Sequence, residues 1–385
     1  MKLKTIYLLQ FLATGIAVSI TVLLPFIAKE MDLSLTQSGF LSSILNFDKI
    51  LLMIPVIFIA NKYSNRKLIY FSMILITLGF AAISVSKYYL MLIGFISIIG
   101  FGVSIYQPII KAELAGLTKS ENKGSILSNF GTIGQLGKFF FSATLGYCII
   151  WIGWRQTTML YSFIPFLIIL IMLLFSRKNR QGEQHIPNQR MNFLIFKGNF
   201  KLIFAFIASL LDTIASSAVI LYLPFLIIAR NFDIIYLPTA NAIILLGTIL
   251  GRFLLGRLTD KRPETTIFIV SELLMAGFTL VIAISHNIWL ILIICFFLGI
   301  VTKGTTPVTQ VMVINAVKNK KEYKSAFFLD TLIGNIGSLS ATLFFGILGD
   351  HFGLNVVFIG FTIMAILAII PGIAYRLTKI KKTAD

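Results

Sequence analysis

Residues 177–198, RKNRQGEQHIPNQRMNFLIFKG, are the longest polar interruption in a 385-residue chain that is otherwise 57% hydrophobic. On both sides of it, apolar runs alternate with short polar gaps. The runs are about 20 residues long, the length a helix needs to cross about 30 Å of hydrocarbon. Six precede the interruption, at 5–28, 39–60, 68–86, 88–111, 124–150 and 155–176. Six follow it, at 200–229, 236–258, 265–285, 287–312, 325–349 and 354–376. The interruption therefore reads as a linker. The expected organisation is an N-terminal six-helix bundle over 1–176, a linker over 177–198 and a C-terminal six-helix bundle over 199–385. The fold class expected is an all-α membrane protein with twelve transmembrane helices.

The composition agrees. Only 12% of residues are charged, about half the share in a soluble domain. The mean hydropathy is +0.91, and there are 35 Phe residues. The net charge of +18 could suggest nucleic acid, but the basic residues form no single patch, so no nucleic-acid partner is expected. They sit in the gaps between apolar runs, as topology determinants do. Cys148 and Cys295 both fall inside apolar runs and read as small buried hydrophobes, not as a disulfide or a metal site. Lys2 and Lys4 precede a run that is too long for a signal-peptide core and lacks a small-residue cleavage site. That run is read as the first membrane helix.

Twelve spans put both termini on one side, and charge chooses the side. Of the 33 Lys and Arg, 25 fall in the ends and loops that include Lys2, Lys4, Arg66, Lys67, the linker and Lys379. The opposite loops hold four, Lys29, Lys87, Arg155 and Arg230, and four more lie within spans. The bias places both termini in the cytoplasm.

The two halves also repeat. Leu24-Pro25-Phe26 returns as Leu223-Pro224-Phe225, and Asn61-Lys62 as Asp260-Lys261. Gly134-Gln135-Leu136-Gly137 returns as Gly334-Asn335-Ile336-Gly337, and Ser142-Ala143-Thr144-Leu145 as Ser340-Ala341-Thr342-Leu343. These four matches keep their order at offsets of 198 to 200 residues. Parallel six-helix repeats are a known transporter plan, with substrate held near the midplane. The glycines Gly131, Gly134, Gly137, Gly334 and Gly337 mark faces where helices approach closely. Either packing within a bundle or closure of the halves would use them. Pro108 and Pro307 suggest local breaks or bends in helices 4 and 10.

The stretch Gly251-Arg252-Phe253-Leu254-Leu255-Gly256-Arg257-Leu258-Thr259-Asp260-Lys261-Arg262 resembles the loop signature between helices 8 and 9 of the major facilitator superfamily (MFS). Asn61-Lys62-Tyr63-Ser64-Asn65-Arg66-Lys67 resembles its partner between helices 2 and 3, and Gly153-Trp154-Arg155 a common feature before helix 6. The likeness covers the entire chain. It implies a secondary transporter without enzymatic activity, working by alternating access, with Asn61, Arg66, Gly251, Arg252, Asp260 and Lys261 as a conformational latch. It also implies a central cavity lined by helices 1, 4, 7 and 10. The sequence departs from the family at Asn61, where an Asp is usual. It lacks the helix 4 Arg often tied to proton coupling, and it has Gly134-Gln135 where many drug antiporters carry Gly-Pro.

Charges inside spans are costly, about 2.5–3.5 kcal/mol each on insertion scales, and usually face a cavity or a partner. Asp48, Lys49, Lys138, Asp212, Arg252, Glu272, Lys303 and Asp330 are of this kind. Glu272 lies on helix 9, peripheral in the resembled fold, and is set aside. Asp48 and Lys49 are adjacent, so they diverge by about 100° on a helix. Asp48 with Lys138 and Asp212 with Lys303 could be static ion pairs. Alternatively, lysines hold an anionic solute while carboxyls carry protons, since burial disfavours the charged form of either group. The substrate-binding candidates are Lys49, Lys138, Lys303, Tyr106, Gln107, Gln135, Asn335 and Gln310; the proton-coupling candidates are Asp48, Asp212 and Asp330.

The leading function is proton-coupled transport of a small anionic organic solute by a monomer in the bacterial plasma (inner) membrane. Export of an amphiphile, drug or siderophore is the alternative, kept open by Phe47, Tyr106, Phe139, Phe140 and Phe328. A membrane-embedded sensor or enzyme finds no support: His185, His286 and His351 all lie outside the spans. No nucleotide-binding loop is present, and neither cofactor nor metal is expected.

Overall fold

The computed structural model describes residues 3–52, 55–56, 59, 63–117, 123–175, 198–259, 261–317 and 322–378. Its helices are α1 (Leu3–Met31), α2 (Leu35–Leu51), α3 (Asn65–Ile83), α4 (Tyr89–Leu117), α5 (Lys123–Ile152) and α6 (Trp154–Phe175). They continue as α7 (Phe200–Ala229), α8 (Tyr236–Leu258), α9 (Glu264–Ile284), α10 (Ile288–Ala316), α11 (Tyr323–Phe352) and α12 (Leu354–Leu377). Each overlaps one expected span. Eleven are long and apolar enough to cross a membrane, α2 being the exception over its described length. Large apolar side chains stand exposed along them, among them Phe163 and Ile164 of α6 and Leu273 and Leu274 of α9. That surface suits lipid, where each backbone polar group must be satisfied within its own helix.

The chain divides into two compact units: Met1–Asn188 with Ile234–Pro238, and Gln189–Asp233 with Thr239–Asp385. In the first, α1 packs on α5, α3 on α4 and α6, and α2 on α4. In the second, α7 packs on α11 and α12, and α9 on α10 and α12. A core of Phe206, Phe268, Met312, Val313 and Tyr375 sits among α7, α9, α10 and α12.

Polar ties recur in both units with their partners exchanged. In the first, Glu30 at the end of α1 accepts from Trp154 Nε1 and from Arg155 Nη1 (2.8 Å), while Arg155 Nη2 donates to the Ser86 carbonyl (3.0 Å). In the second, the cation is on the other element. Arg230, after α7, donates to Asn355 Oδ1 of α12 (2.8 Å) and to the Ser285 carbonyl after α9. The opposite ends show the same exchange. Asn65 Nδ2 of α3 donates to Glu113 of α4 (3.3 Å), whereas Asn315 Nδ2 of α10 donates to Glu264 of α9 (3.1 Å). Gly153 and Gly353 turn the chain between α5 and α6 and between α11 and α12 at φ 81° and 84°. Only glycine enters that region without steric cost.

Helix starts follow ordinary capping chemistry. Ser34 and Gln37 form a capping box on α2 (3.1 and 2.9 Å). The Asn199 side chain accepts from Leu202 N and donates to the Ala316 carbonyl, joining α7 to α10. One of the two readings of the helix prolines, a break, is not seen. Helices α4 and α10 run unbroken through Pro108 and Pro307. The interruption is in α7, at Ala218 after Ser216-Ser217, and serine pairs are a recognised cause of kinks.

Candidate functional site

Close helix contacts set the stage for the buried charges. In α8 and α10 the backbones nearly touch. A Cβ on Gly247 would meet the Phe296 carbonyl oxygen at 2.2 Å, one on Gly251 the Ile300 oxygen at 2.0 Å, and one on Gly299 the Ile244 oxygen at 2.2 Å. Small residues permit such approach where lipid gives no hydrophobic force between helices. Gly137 likewise meets the Phe11 oxygen of α1 at 2.3 Å, and Gly337 the Leu210 oxygen of α7 at 3.3 Å. These two, with Gly134 against Gln10, serve packing within a unit. A Cβ on Gly131 or Gly334 would meet no other element within 4 Å.

The C-terminal unit gathers most of the intramembrane charge into one cluster. Asp212 on α7 is buried and accepts from Thr305 Oγ1 of α10 at 2.8 Å. One turn earlier, Ser209 Oγ donates to Asp330 Oδ1 of α11 at 2.8 Å. Glu272 is fully buried on α9, and neither of its carboxyl oxygens has a hydrogen-bond partner among the described residues. Lys303 of α10 is half-buried within electrostatic reach of both Asp212 and Arg252. The Arg252 Nε is buried with no acceptor among the described residues. The suggested Asp212–Lys303 ion pair is not closed: Asp212 accepts from Thr305 instead. Thr305 and Ser209 were not singled out from sequence, and Glu272 was set aside. Its place on an apolar helix was the signal that argued for keeping it.

The N-terminal unit holds a sparser set. The Asp48 carboxyl of α2 lies in the α2–α4 seam against Gly100, whose added Cβ would stand 2.0 Å from Oδ2. Oδ2 is buried with no donor among the described residues. Lys49 diverges as expected, and its Nζ donates to Asn46 Oδ1 at 3.1 Å. Tyr106 is fully buried on α4, with no partner for its hydroxyl among the described residues. Gln135 is buried on α5, and Gln107 and Lys138 are half-buried. In the C-terminal unit Gln310 and Asn335 are half-buried.

Of the latch candidates, Asn61 and Asp260 lie outside the described residues, as does most of the linker. Gly251 is buried in the α8–α10 contact, Arg252 and Arg66 are half-buried, and Lys261 is exposed.

These features define a multi-pass integral membrane protein of two six-helix units with charged groups inside its spans. The profile of the Major Facilitator Superfamily matches residues 6–271 and 205–384, and the chain belongs to that family of transporters. No curated protein matches it in sequence. Among solved structures, it is similar to a bacterial homolog of the human lysosomal transporter Spinster in an inward-facing, unoccupied conformation. There the TM-score is 0.82 at 14% identity, over 97% of this chain and 96% of that one. The occupied inward-facing form gives a TM-score of 0.82 at 13% identity, over 100% and 98%. At such identity the likeness concerns the fold.

Proposed function

We propose that this transporter moves a small anionic organic solute by alternating access, coupled to protons, in the bacterial plasma (inner) membrane. In this reading it works as a monomer with both termini in the cytoplasm, 1–176 and 199–385 being the moving halves and 177–198 their linker. The observation that carries the reading is the cluster around Asp212. Lys303 is a cation inside the spans without a closed ion pair, free to hold an anionic group. Asp212 and Asp330 beside it are carboxyls able to take up a proton, as is Asp48 in the other unit. Lys49 and Lys138 are further cations for the solute. Tyr106, Gln107, Gln135, Gln310 and Asn335 supply hydrogen bonds. Asn61, Arg66, Gly251, Arg252, Asp260 and Lys261 form the latch.

Export of an amphiphile has one observation in its favour: Phe47 and Phe140 are both 52% exposed, apolar surface that a lipophilic cargo would use. Uptake of a panel of labelled organic anions into proteoliposomes, under an imposed pH gradient, separates the two. Accumulation of an anion that collapses with the gradient supports the proposal. Failure to move any anion, together with expulsion of a lipophilic cation, overturns it.

A further inference from the structure

The first unit carries a groove of about 530 Å³ between α3 and α6. Thr77, Leu78 and Ala81 form one wall, and α6 from Gln156 to Phe166 forms the other. Leu78, Met159 and Phe163 line it and stand exposed, so it opens on the apolar surface of the unit. The hydroxyls in its walls are spent on their own helices. Thr77 Oγ1 donates to the Met73 carbonyl (2.8 Å), and Ser162 Oγ donates to the Met159 carbonyl (2.6 Å). Along its length the groove therefore offers a polar solute no free hydroxyl donor, and it suits an apolar occupant.

The corresponding seam of the second unit is bonded at this level. Asn65 and Glu264, which begin α3 and α9, set Phe80 against Thr279, and Gly153 and Gly353 set Ser162 against Thr362. The Thr279 and Thr362 hydroxyls share a hydrogen bond across α9 and α12 (2.9 Å). Phe80 has no hydroxyl to give Ser162, so the first unit lacks this tie.

The ends of the groove differ from its middle. Ten residues separate Gln156 from Phe166, a rise of about 15 Å. That is half of the hydrocarbon thickness of about 30 Å, the depth of one leaflet. The Gln156 end lies beside the Gly153 turn. There Arg155 lies over the Trp154 ring at 4.1 Å and donates to the Ser86 carbonyl (3.0 Å), which brings the exposed Lys87 to the same end. Glu30 neutralises Arg155, which leaves Lys87 as the cation for an anionic group. Exposed Trp151 and Tyr88 mark this end as the level of lipid headgroups.

We propose that this groove holds one acyl chain of a membrane phospholipid, with the lipid phosphate at Lys87. The chain fills the α3–α6 seam where the second unit uses the Thr279–Thr362 bond. With both termini cytoplasmic, as proposed above, the lipid belongs to the outer leaflet. The site itself does not depend on that orientation or on the solute carried.

Photolabelling tests this. The purified full-length protein is placed in vesicles of phosphatidylethanolamine and phosphatidylglycerol, with a trace of phosphatidylglycerol bearing a diazirine midway along one acyl chain. After illumination, labelled peptides are mapped by mass spectrometry. Label is expected to concentrate on 77–81 and 156–166, about five-fold or more above the exposed faces of α9 and α12. Replacing both Met159→Trp and Leu160→Trp, at exposed positions that tolerate bulk, should cut it about five-fold. If that variant does not fold, Ala81→Phe takes its place. A diacylglycerol with the same diazirine but no phosphate should label the groove less than the phospholipid does. Label spread evenly over the exposed helices, label unchanged in the filled variant, or equal labelling by the diacylglycerol overturns the proposal. So does a Met159→Cys disulfide between copies in place of lipid labelling, since a second copy of the chain would then cover the groove.

Discussion

The two units share a plan but not an interior. Matched at Leu24-Pro25-Phe26 with Leu223-Pro224-Phe225, Ala13 stands where the second unit has Asp212. Matched at Pro108 with Pro307, Ser104 stands for Lys303, and at Gly134 with Gly334, Phe130 stands for Asp330. Asn65 and Glu264, which begin α3 and α9, set Met73 against Glu272. In the seam of helices two and four the exchange is reversed. The first unit has Asp48 against Gly100 where the second brings Gly247 against the α10 backbone. The ties at the helix ends are meanwhile kept, with donor and acceptor exchanged between elements. What both units preserve is therefore packing geometry, and where they diverge is buried charge. Charge costs several kcal/mol to bury unpaired, so a scaffold alone gives no reason to hold four ionisable groups together in one unit.

The comparison can be broken by substitution, beginning with the seams. Gly251→Leu drives a side chain into the Ile300 backbone, which cannot yield as a side chain can. The loss of about 1–3 kcal/mol or more that overpacking brings should appear as a collapse in monodisperse yield and in thermal midpoint. Gly100→Ala meets the movable end of Asp48 instead. It should cost less, and Asp48→Ala in the same chain should restore the midpoint. Equal damage from the two glycine substitutions would show that the seams are packed alike.

The charges come next. Lys303→Gln should weaken anion affinity more than 10-fold, about 1.4 kcal/mol or more. Lys49→Gln, whose ammonium is already bonded to Asn46, should weaken it less. The measurement is competition by unlabelled anion in proteoliposomes, and equal affinities would remove the distinction between the units. The smallest effect is expected at the helix ends. Arg155→Ala breaks a largely exposed ion pair with Glu30, worth about 0–1 kcal/mol. Arg230→Ala removes a guanidinium bonded to three carbonyls and Asn355, and should lower the thermal midpoint further.

Much of this architecture was legible in the sequence. Span lengths and hydropathy located the helices because lipid imposes both length and apolarity. The repeat and the Gly251–Arg262 stretch pointed to the family because they lie in register with each other. The interior was harder to read. Glu272 was set aside because helix 9 is peripheral in the general plan, and spacing along one helix does not reveal which way it faces. Its complete burial depends on how the helices of the unit pack around α9, which has no local signature. Pro108 and Pro307 pointed to breaks or bends, and α4 and α10 run through them without a break, while Ser216-Ser217 gave a weaker cue at the break that exists.

The most direct test of the account follows protons and solute together. Proteoliposomes containing wild type, Asp212→Asn or Asp48→Asn are given a labelled organic anion that the wild type moves, and external pH is recorded during uptake. The account predicts proton entry with the anion in wild type and its loss in Asp212→Asn, with anion exchange across the membrane retained. Unaltered proton entry in Asp212→Asn, or loss confined to Asp48→Asn, would contradict it.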